Sequence, residues 1–508
     1  MHTRNFKGII LIVIANLITI NLNAQNENNI WAIGYHNGLN FNTNPPTFIE
    51  SNVYTETGSA SVSDENGNVM FYSDGHNVWD ANGDVMPNGS DILGNGSYSF
   101  NNGGKNGGAS QGVLIAQKTD NPNQYYLFVI TSIPDRTWGF PQDIPLGKIW
   151  YSVIDMQLNG GLGDVIPTQK NIVLDEDISA AVTIVQGDGN YYWLITHSLQ
   201  KEFKVYRVDN NGIHPPTTYT SLISGEFSAC ITLSPDKTKI THTVSSEHYD
   251  PNNPTFNFLE IGNFDKTTGS ITNMQKIETV TGLVEGVTSA GIQSVAFSPN
   301  GQVLYLGTVV RNQILQFDIS AFPDKQAIEQ SKFIITEEGS GDVRSAPNGK
   351  IYLKEVYTSA NAGTGEHEMK GISIIHNPDV LGIGCNFESS ALALPSWAVN
   401  NTPSNVSRYK GIGQDAVVLK SNLNTDEHNL ENNVSVYPNP VSNNLQIQFK
   451  QLGEYRITIT DITGKTIKNV SFQQQHYSLN MEKLPAGIYL IQIQDQNLNT
   501  IAKKIIKK

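Results

Sequence analysis

The sequence predicts an all-β fold, built as a repeated array of small sheets followed by a separate small sandwich. Three observations predict it. Short apolar strands recur along most of the 508 residues, separated by turns that carry Pro, Asn and Gly. No long amphipathic helical pattern interrupts them. The 44 glycines suit a chain that turns tightly and often.

From the N-terminus, residues 1–24 read as a signal peptide. Arg4 and Lys7 supply the positive start, Ile9 to Ile20 the apolar run, and Leu22-Asn23-Ala24 a small-residue cleavage site before Gln25. The run is shorter than the ~20 apolar residues that span a bilayer. No other stretch could span, so the mature chain is expected to have no transmembrane segment and to reach the periplasm by Sec export. Net charge is −14 and only 16% of residues are charged, which disfavours nucleic acid or an anionic membrane surface as partner. The apolar and aromatic content, 38% and 9%, is ordinary globular material.

Six units share one grammar: strand, turn, strand, gap, third strand. The clearest is GIQSVAFSPNGQVLYLGTVVRNQILQFDIS, Gly291 to Ser320. The others begin at Ser59 (SASVSDENGNVMFYSDG), Gly112 (GVLIAQKTDNPNQYYLFVITS), Ala180 (AAVTIVQGDGNYYWLITHS), Ser228 (SACITLSPDKTKITHTV) and Asp342 (DVRSAPNGKIYLKEV). Their spacing is that of propeller blades with loop insertions. Circular closure protects sheet edges, so a β-propeller over residues 25–410 is the economical solution. Seven blades are expected, with six or eight as alternatives. The seventh is expected to be split, ALALPSWAV (Ala391 to Val399) pairing with IWAIGYHNGLNF (Ile30 to Phe41).

Residues 411–433 read as a polar linker. Residues 434–508 then carry about seven strand candidates, among them LQIQFK, YRITITD and YLIQIQD, all alternating apolar and polar. They predict a small Ig-like β-sandwich. Nine basic residues against four acidic ones give this segment +5, leaving −19 for the rest of the −14 chain.

This last segment resembles the C-terminal sorting domain of cargo proteins of the type IX secretion system of Gram-negative bacteria. Tyr437-Pro438-Asn439-Pro440, the Asp461 to Lys465 turn with Gly464, Leu484 to Tyr489 with Gly487, and the Lys503-Lys504-Ile505-Ile506 ending carry the resemblance, in the family's order. It implies recognition by the outer-membrane translocon and sorting machinery. Removal near the linker and a secreted or outer-surface location are implied with it. Tyr437, Pro438, Asn439, Pro440, Gly464, Gly487, Tyr489, Lys503 and Lys504 are its sorting-signal residues. The repeated region also resembles a propeller region found in secreted proteins of the same bacteria, for which no activity is implied.

Catalytic motifs are sparse. SDENGN at Ser63 to Asn68 lacks the downstream Glu of a calcium loop and matches SPNG and APNG in sister units, so it reads as a turn. No zinc motif, G-x-S-x-G elbow or phosphate loop appears, and no cofactor is expected. The long insertion PDRTWGFPQDIP offers Trp138 and Phe140 for stacking on a sugar or a partner protein. His76 and His197 end strands where the chain could approach a central channel. Cys230 and Cys385 leave a disulfide open. A glycan- or protein-binding propeller is the favoured reading. A polysaccharide lyase or glycosidase is the alternative, since carboxylates from distant blades cannot be paired from sequence.

Overall fold

The computed structural model describes residues 26–55, 58–93, 111–130, 147–223, 228–244, 258–279, 292–308, 313–337, 342–358, 367–395, 434–449, 453–461, 465–495 and 500–508. The chain divides into two compact units, Met1–Ser421 and Asn422–Lys508. The signal-peptide residues and the linker 411–433 lie outside the described residues.

Among the described residues the first unit contains seven antiparallel sheets in chain order. The first is Ile30–Ile33, Tyr35–Asn40 and Thr47–Tyr54, and the second Ala60–Ser63, Val69–Ser73 and Val78–Asp80. The third is built on Val113–Gln117, Gln124–Ile130 and Ile149–Asp155, and the fourth on Val182–Gln186, Tyr192–His197 and Glu202–Asp209, each with two further short strands. The fifth is Ser228–Leu233, Lys239–Val244, Phe258–Asp265 and Ser270–Glu278. The sixth is Ile292–Phe297, Val303–Thr308, Ile314–Asp318 and Phe333–Thr336. The seventh is Val343–Ser345, Ile351–Thr358, His367–Ile375 and Phe387–Ala393. The six sequence units coincide with the second to seventh sheets.

Each sheet buries both faces, which is why Val303–Thr308 and Tyr192–His197 are buried along their whole length rather than alternately. The apolar clusters lie between successive sheets. Ala32 and Val53 of the first meet Tyr72 and Trp79 of the second. Phe71 of the second meets Tyr125 of the third, and Phe128 of the third meets Tyr192 of the fourth. Phe203 and Ile231, then Leu259 and Phe317, then Tyr305 and Ile351, continue the series to the seventh. Tyr352, Ile372 and Ile374 of the seventh then pack on Trp31, Ile33, Leu39 and Phe41 of the first. The order of packing is cyclic.

The split sheet is not found. Phe387–Ala393 is the outermost strand of the seventh sheet, bonded to His367–Ile375, and among the described residues no strand of the first sheet pairs outside Ile30–Tyr54. The first and last sheets are joined by side-chain packing instead, with Tyr352 edge-on to Phe41 at 5.2 Å.

First strands of successive sheets lie side by side and leave a free backbone edge on each sheet. Hydroxyl and amide side chains from neighbouring sheets satisfy these edges. Ser59 and Ser61 donate to the carbonyls of Ala32 and Ile30, at 2.7 and 2.6 Å. The Val343 N–H donates to Ser294 Oγ and Ser345 Oγ to the Phe297 carbonyl. Gln111 behaves as a one-residue strand: its Nε2 donates to the Ile231 carbonyl and its Oε1 accepts the Ile231 N–H.

The second unit is two sheets around one core. Val434–Tyr437, Asn444–Phe449 and His476–Asn480 form one, and Tyr455–Asp461, Thr466–Phe472, Gly487–Asp495 and Thr500–Lys507 the other. Leu445, Ile447, Ile457, Ile491 and Ile505 meet between them. Both cysteines are buried free thiols, which resolves the open disulfide.

Candidate functional site

A concavity of about 650 Å³ in the first unit lies where the first strands of several sheets meet. Trp31, Thr183, Ile231, Ala296 and Arg344 come from five different sheets, and Asn26, Asn28 and Asn29 from the segment before the first strand. No sequence window shows this convergence, because the contributing residues are up to about three hundred positions apart.

Two hairpin turns reach the lining, through Lys237 in one and Pro347 and Asn348 in the other. Four turns share one geometry, each with the N–H of its fourth residue on the carbonyl of its first. They begin at Asp64, Ser234, Ser298 and Ala346, and the bonds are 2.9 to 3.0 Å. Asp64 accepts the Asn66 and Asn68 N–H groups, so SDENGN is the expected turn. The fourth residue needs positive φ, and three turns supply glycine: Gly67, Gly301 and Gly349, at 80°, 69° and 74°. The fifth sheet has Lys237 there, at 61°. A side chain in that region costs on the order of 1 kcal/mol or more.

Lys237 and Arg344 are the cations of the lining, which contains no Asp or Glu. Arg344 Nε donates to the buried Asp342, 3.1 Å away, which fixes the guanidinium. No ion pair holds the Lys237 ammonium among the described residues, and burial pulls its pKa below the usual lysine range against the opposing pull of Asp236. Asp236 itself is tied into its own turn by Ser234 and Thr238. Asn348 donates to the Tyr352 hydroxyl at 2.7 Å, locking one edge of the lining to the aromatic group of Trp31, Phe41 and Tyr352.

His197 does not line this cavity. Its ring is fully buried between the fourth and fifth sheets, stacked on His242 at 4.1 Å and 17°, with Phe203 edge-on to it. His197 Nδ1 lies 2.7 Å from the Ser198 carbonyl, which can only accept, so Nδ1 carries the proton and the Nε2 lone pair has no partner. His242 Nδ1 meets Glu260 Oε1 at 2.7 Å. Ser221 donates to the same oxygen and the Leu222 N–H to Oε2. Burial pushes the Glu260 carboxyl up to about 7 and holds both imidazoles well below their ordinary value. These three residues have ligand atoms within 4.8 Å, the spacing of a cation site. The two rings are stacked, and Glu260 already accepts from Ser221 and the Leu222 N–H besides meeting His242. The cluster is a hydrogen-bonded joint between two sheets. Sequence reading noted His197 alone. The missing signal was Glu260, in a strand with no motif.

His76 stands in the turn after Val69–Ser73, its N–H on the buried carboxylate of Asp74 at 2.9 Å. Nothing brings it to His197. Trp138 and Phe140 lie outside the described residues.

In the second unit the quoted motifs meet in space. Asn439 Nδ2 donates to the Lys504 carbonyl at 2.8 Å, and its Oδ1 accepts the Ile506 N–H at 2.9 Å. Val441 and Ile506, then Lys508 and Val441, continue the ladder. The Pro-Asn-Pro turn therefore clamps the terminal strand. Tyr437 is partly exposed, with its hydroxyl on Gln448, and the Tyr489 hydroxyl donates to the Pro485 carbonyl. Gly487 opens its strand, while Gly464 lies outside the described residues. Asp461 and Lys465 close the turn across it. Lys503 and Lys504 alternate on the last strand beside buried Ile505 and exposed Ile506.

Residues 435–508 match the family described as the secretion system C-terminal sorting domain. That match identifies the second unit, and with it the place of the protein, which is exported and ends secreted or on the cell surface. Among curated relatives, an endo-acting ulvan lyase of Formosa agariphila is 36% identical over 95 residues, and the chain spans 18% of its length. Two solved structures are similar at low identity. PorZ, a surface component of the type-IX secretion system of Porphyromonas gingivalis, is 10% identical with a TM-score of 0.24, over 95% of this chain and 82% of that one. Hydrazine synthase of Kuenenia stuttgartiensis is 14% identical with a TM-score of 0.33, over 80% and 99%. Neither likeness bears on activity. No described helix is long and apolar enough to cross a membrane.

Proposed function

We propose that the first unit is a seven-bladed β-propeller that works as a glycan-binding module outside the cell, with its ligand in the central cavity. Residues 1–24 would be removed on Sec export, and the sorting domain detached near residues 411–433. The cyclic packing order supports the propeller. The observation that carries the binding reading is the described cavity lining: Asn26, Asn28, Asn29 and Asn348 with Trp31, and no carboxylate among them. Amides and an indole suit sugar hydroxyls and ring faces. Acid–base cleavage of a glycosidic bond needs a carboxyl pair or an equivalent that this lining lacks.

The ulvan lyase match does not favour catalysis here, since 95 residues cannot span sheets running from Ile30 to Ala393. For the second unit, Ile488, Leu490 and Ile506 stand exposed side by side with Lys504, and this face is proposed to meet the sorting machinery.

The test is an oligosaccharide array probed with the exported protein, followed by calorimetry. Selective retention is expected, lost on Thr183→Phe, which intrudes on the cavity. Retention unchanged by that substitution would move the site elsewhere. Shortened oligosaccharide products would replace binding with catalysis.

A further inference from the structure

We propose that the central cavity contains an anion subsite, in which the Lys237 ammonium and the Arg344 guanidinium receive the carboxylate or sulfate of an acidic glycan. This rests on the glycan-binding reading above and adds the ligand's charge to it.

The argument starts from a comparison inside the molecule. Four hairpins use the same turn, and three place glycine at the left-handed position. The turn alone would be served best by glycine in the fifth sheet as well. Lysine stands there instead, at φ 61°, and its side chain lines the cavity. Backbone strain at a position where the fold does not require it points to work done by the side chain. The surroundings say what work. The lining carries no Asp or Glu, Asp236 is engaged with Ser234 and Thr238, and Asp342 is engaged with Arg344. Glu27, between two lining asparagines, is buried near enough to Tyr125 to raise its phenol's pKa and is not part of the lining. Lys237 therefore lies at a concavity of about 650 Å³ whose described lining holds no carboxylate, with Asp236 acting on it only from its own turn. Within a chain of net charge −14, a cavity of this sign is not a by-product of composition. Arg344, oriented by Asp342, supplies planar donors of the kind that read carboxylate and sulfate oxygens. Asn28 and Asn348 belong to the same lining.

The deciding variant is Lys237→Gly, which gives the fifth-sheet turn the residue its sisters have. Its melting temperature is expected to equal or exceed that of the parent, so lost binding cannot be put down to unfolding. The exported protein is titrated with three probes: a galacturonate tetrasaccharide, its methyl ester with the same backbone and no charge, and a sulfated galactan tetrasaccharide. The parent is expected to bind at least one acidic probe at least tenfold more tightly than the ester, with affinity falling as salt is raised. The carboxylate and sulfate arms tell which anion is taken. Lys237→Gly is expected to erase that preference, and Arg344→Gln to weaken it. Equal binding of acid and ester, sensitive to Thr183→Phe, would overturn the anion subsite and leave the glycan cavity standing. Acid preference unchanged in Lys237→Gly would overturn the role of Lys237. Failure of all three probes to bind would remove the glycan reading, and this inference with it.

Discussion

The two units solve the same problem, the free sheet edge, in different ways. In the seven-sheet unit several first strands have their inner edge covered by side chains from far away in sequence: Gln111 on Ile231, Ser294 on Val343, Ser61 on Ile30. In the sorting unit the last strand is covered by a turn of its own small domain, through Asn439. The first solution joins sheets into a continuous wall and leaves a cavity along it. The second pins down the last strand of the sorting domain. The difference separates a unit closed across many sheets from a small unit closed within itself.

Four substitutions can break or sharpen that comparison. The largest effect is expected from Tyr352→Ala, which empties the packing between the seventh and first sheets. A loss of about 3 to 5 kcal/mol is expected for the seven-sheet unit. Separate melting transitions by calorimetry should show the sorting unit unmoved. A parallel drop in both would mean the units are not independent.

Next is the buried joint. Between the unfolded values of 4.5 for glutamate and 6.5 for histidine, the unfolded chain holds two protons on His197 and His242 and none on Glu260. The folded chain holds about one, on Glu260, whose carboxyl titrates near 7. The depressed histidines therefore cost stability as pH falls below 6.5. The raised Glu260 costs stability as pH rises from 4.5 towards 7. The groups facing the joint from neighbouring elements are Ser221, the Leu222 N–H and Lys276. Two depressed histidines outweigh one raised carboxyl, so the cluster's net contribution is stability gained as pH rises across that window. Glu260→Gln removes the opposing carboxyl and should roughly double the cluster's slope, read as melting temperature against pH beside the parent. An unchanged slope would mean the joint is hydrated and titrates normally.

Asn439→Ala removes two bonds from the terminal strand, worth about 1 to 2 kcal/mol of sorting-unit stability at an exposed site. Faster amide exchange at Ile506 with no change at Ile231 is the expected reading. Ser294→Ala leaves the Val343 N–H without that acceptor and should cost about 1 kcal/mol, confined to the other unit. Exchange rising at Val343 alone would support the edge-cover role, whereas a change spread over several sheets would contradict it.

Legibility in the sequence followed the same divide. Every repeated unit became a sheet because its signal is local: apolar runs such as VLYLGT bounded by Pro-Asn-Gly turns. The sorting unit was legible through motifs, and the structure shows why they occur together, since Asn439 bonds the strand that carries Lys504. The splitting of the seventh sheet was misread because ALALPSWAV has an inner-strand composition. The place of its Ala391 to Ala393 was decided by pairing with His367–Ile375, a tertiary choice that composition does not encode, while Ser396 to Val399 lie outside the described residues. The cavity was illegible for a related reason. Lys237 looks like any turn lysine until its position is set beside Gly67, Gly301 and Gly349. Glu260 looks like a strand surface residue until the His197 and His242 rings are stacked next to it.

The most direct test of the central claim, an exported binding unit carried by a separate address, is fractionation of the native bacterium. Strains producing the chain with and without residues 434–508 are compared, with mass spectrometry of the external form. The account predicts an external protein ending near residues 411–433, and a truncated form held in the periplasm. External appearance of the truncated form would contradict it.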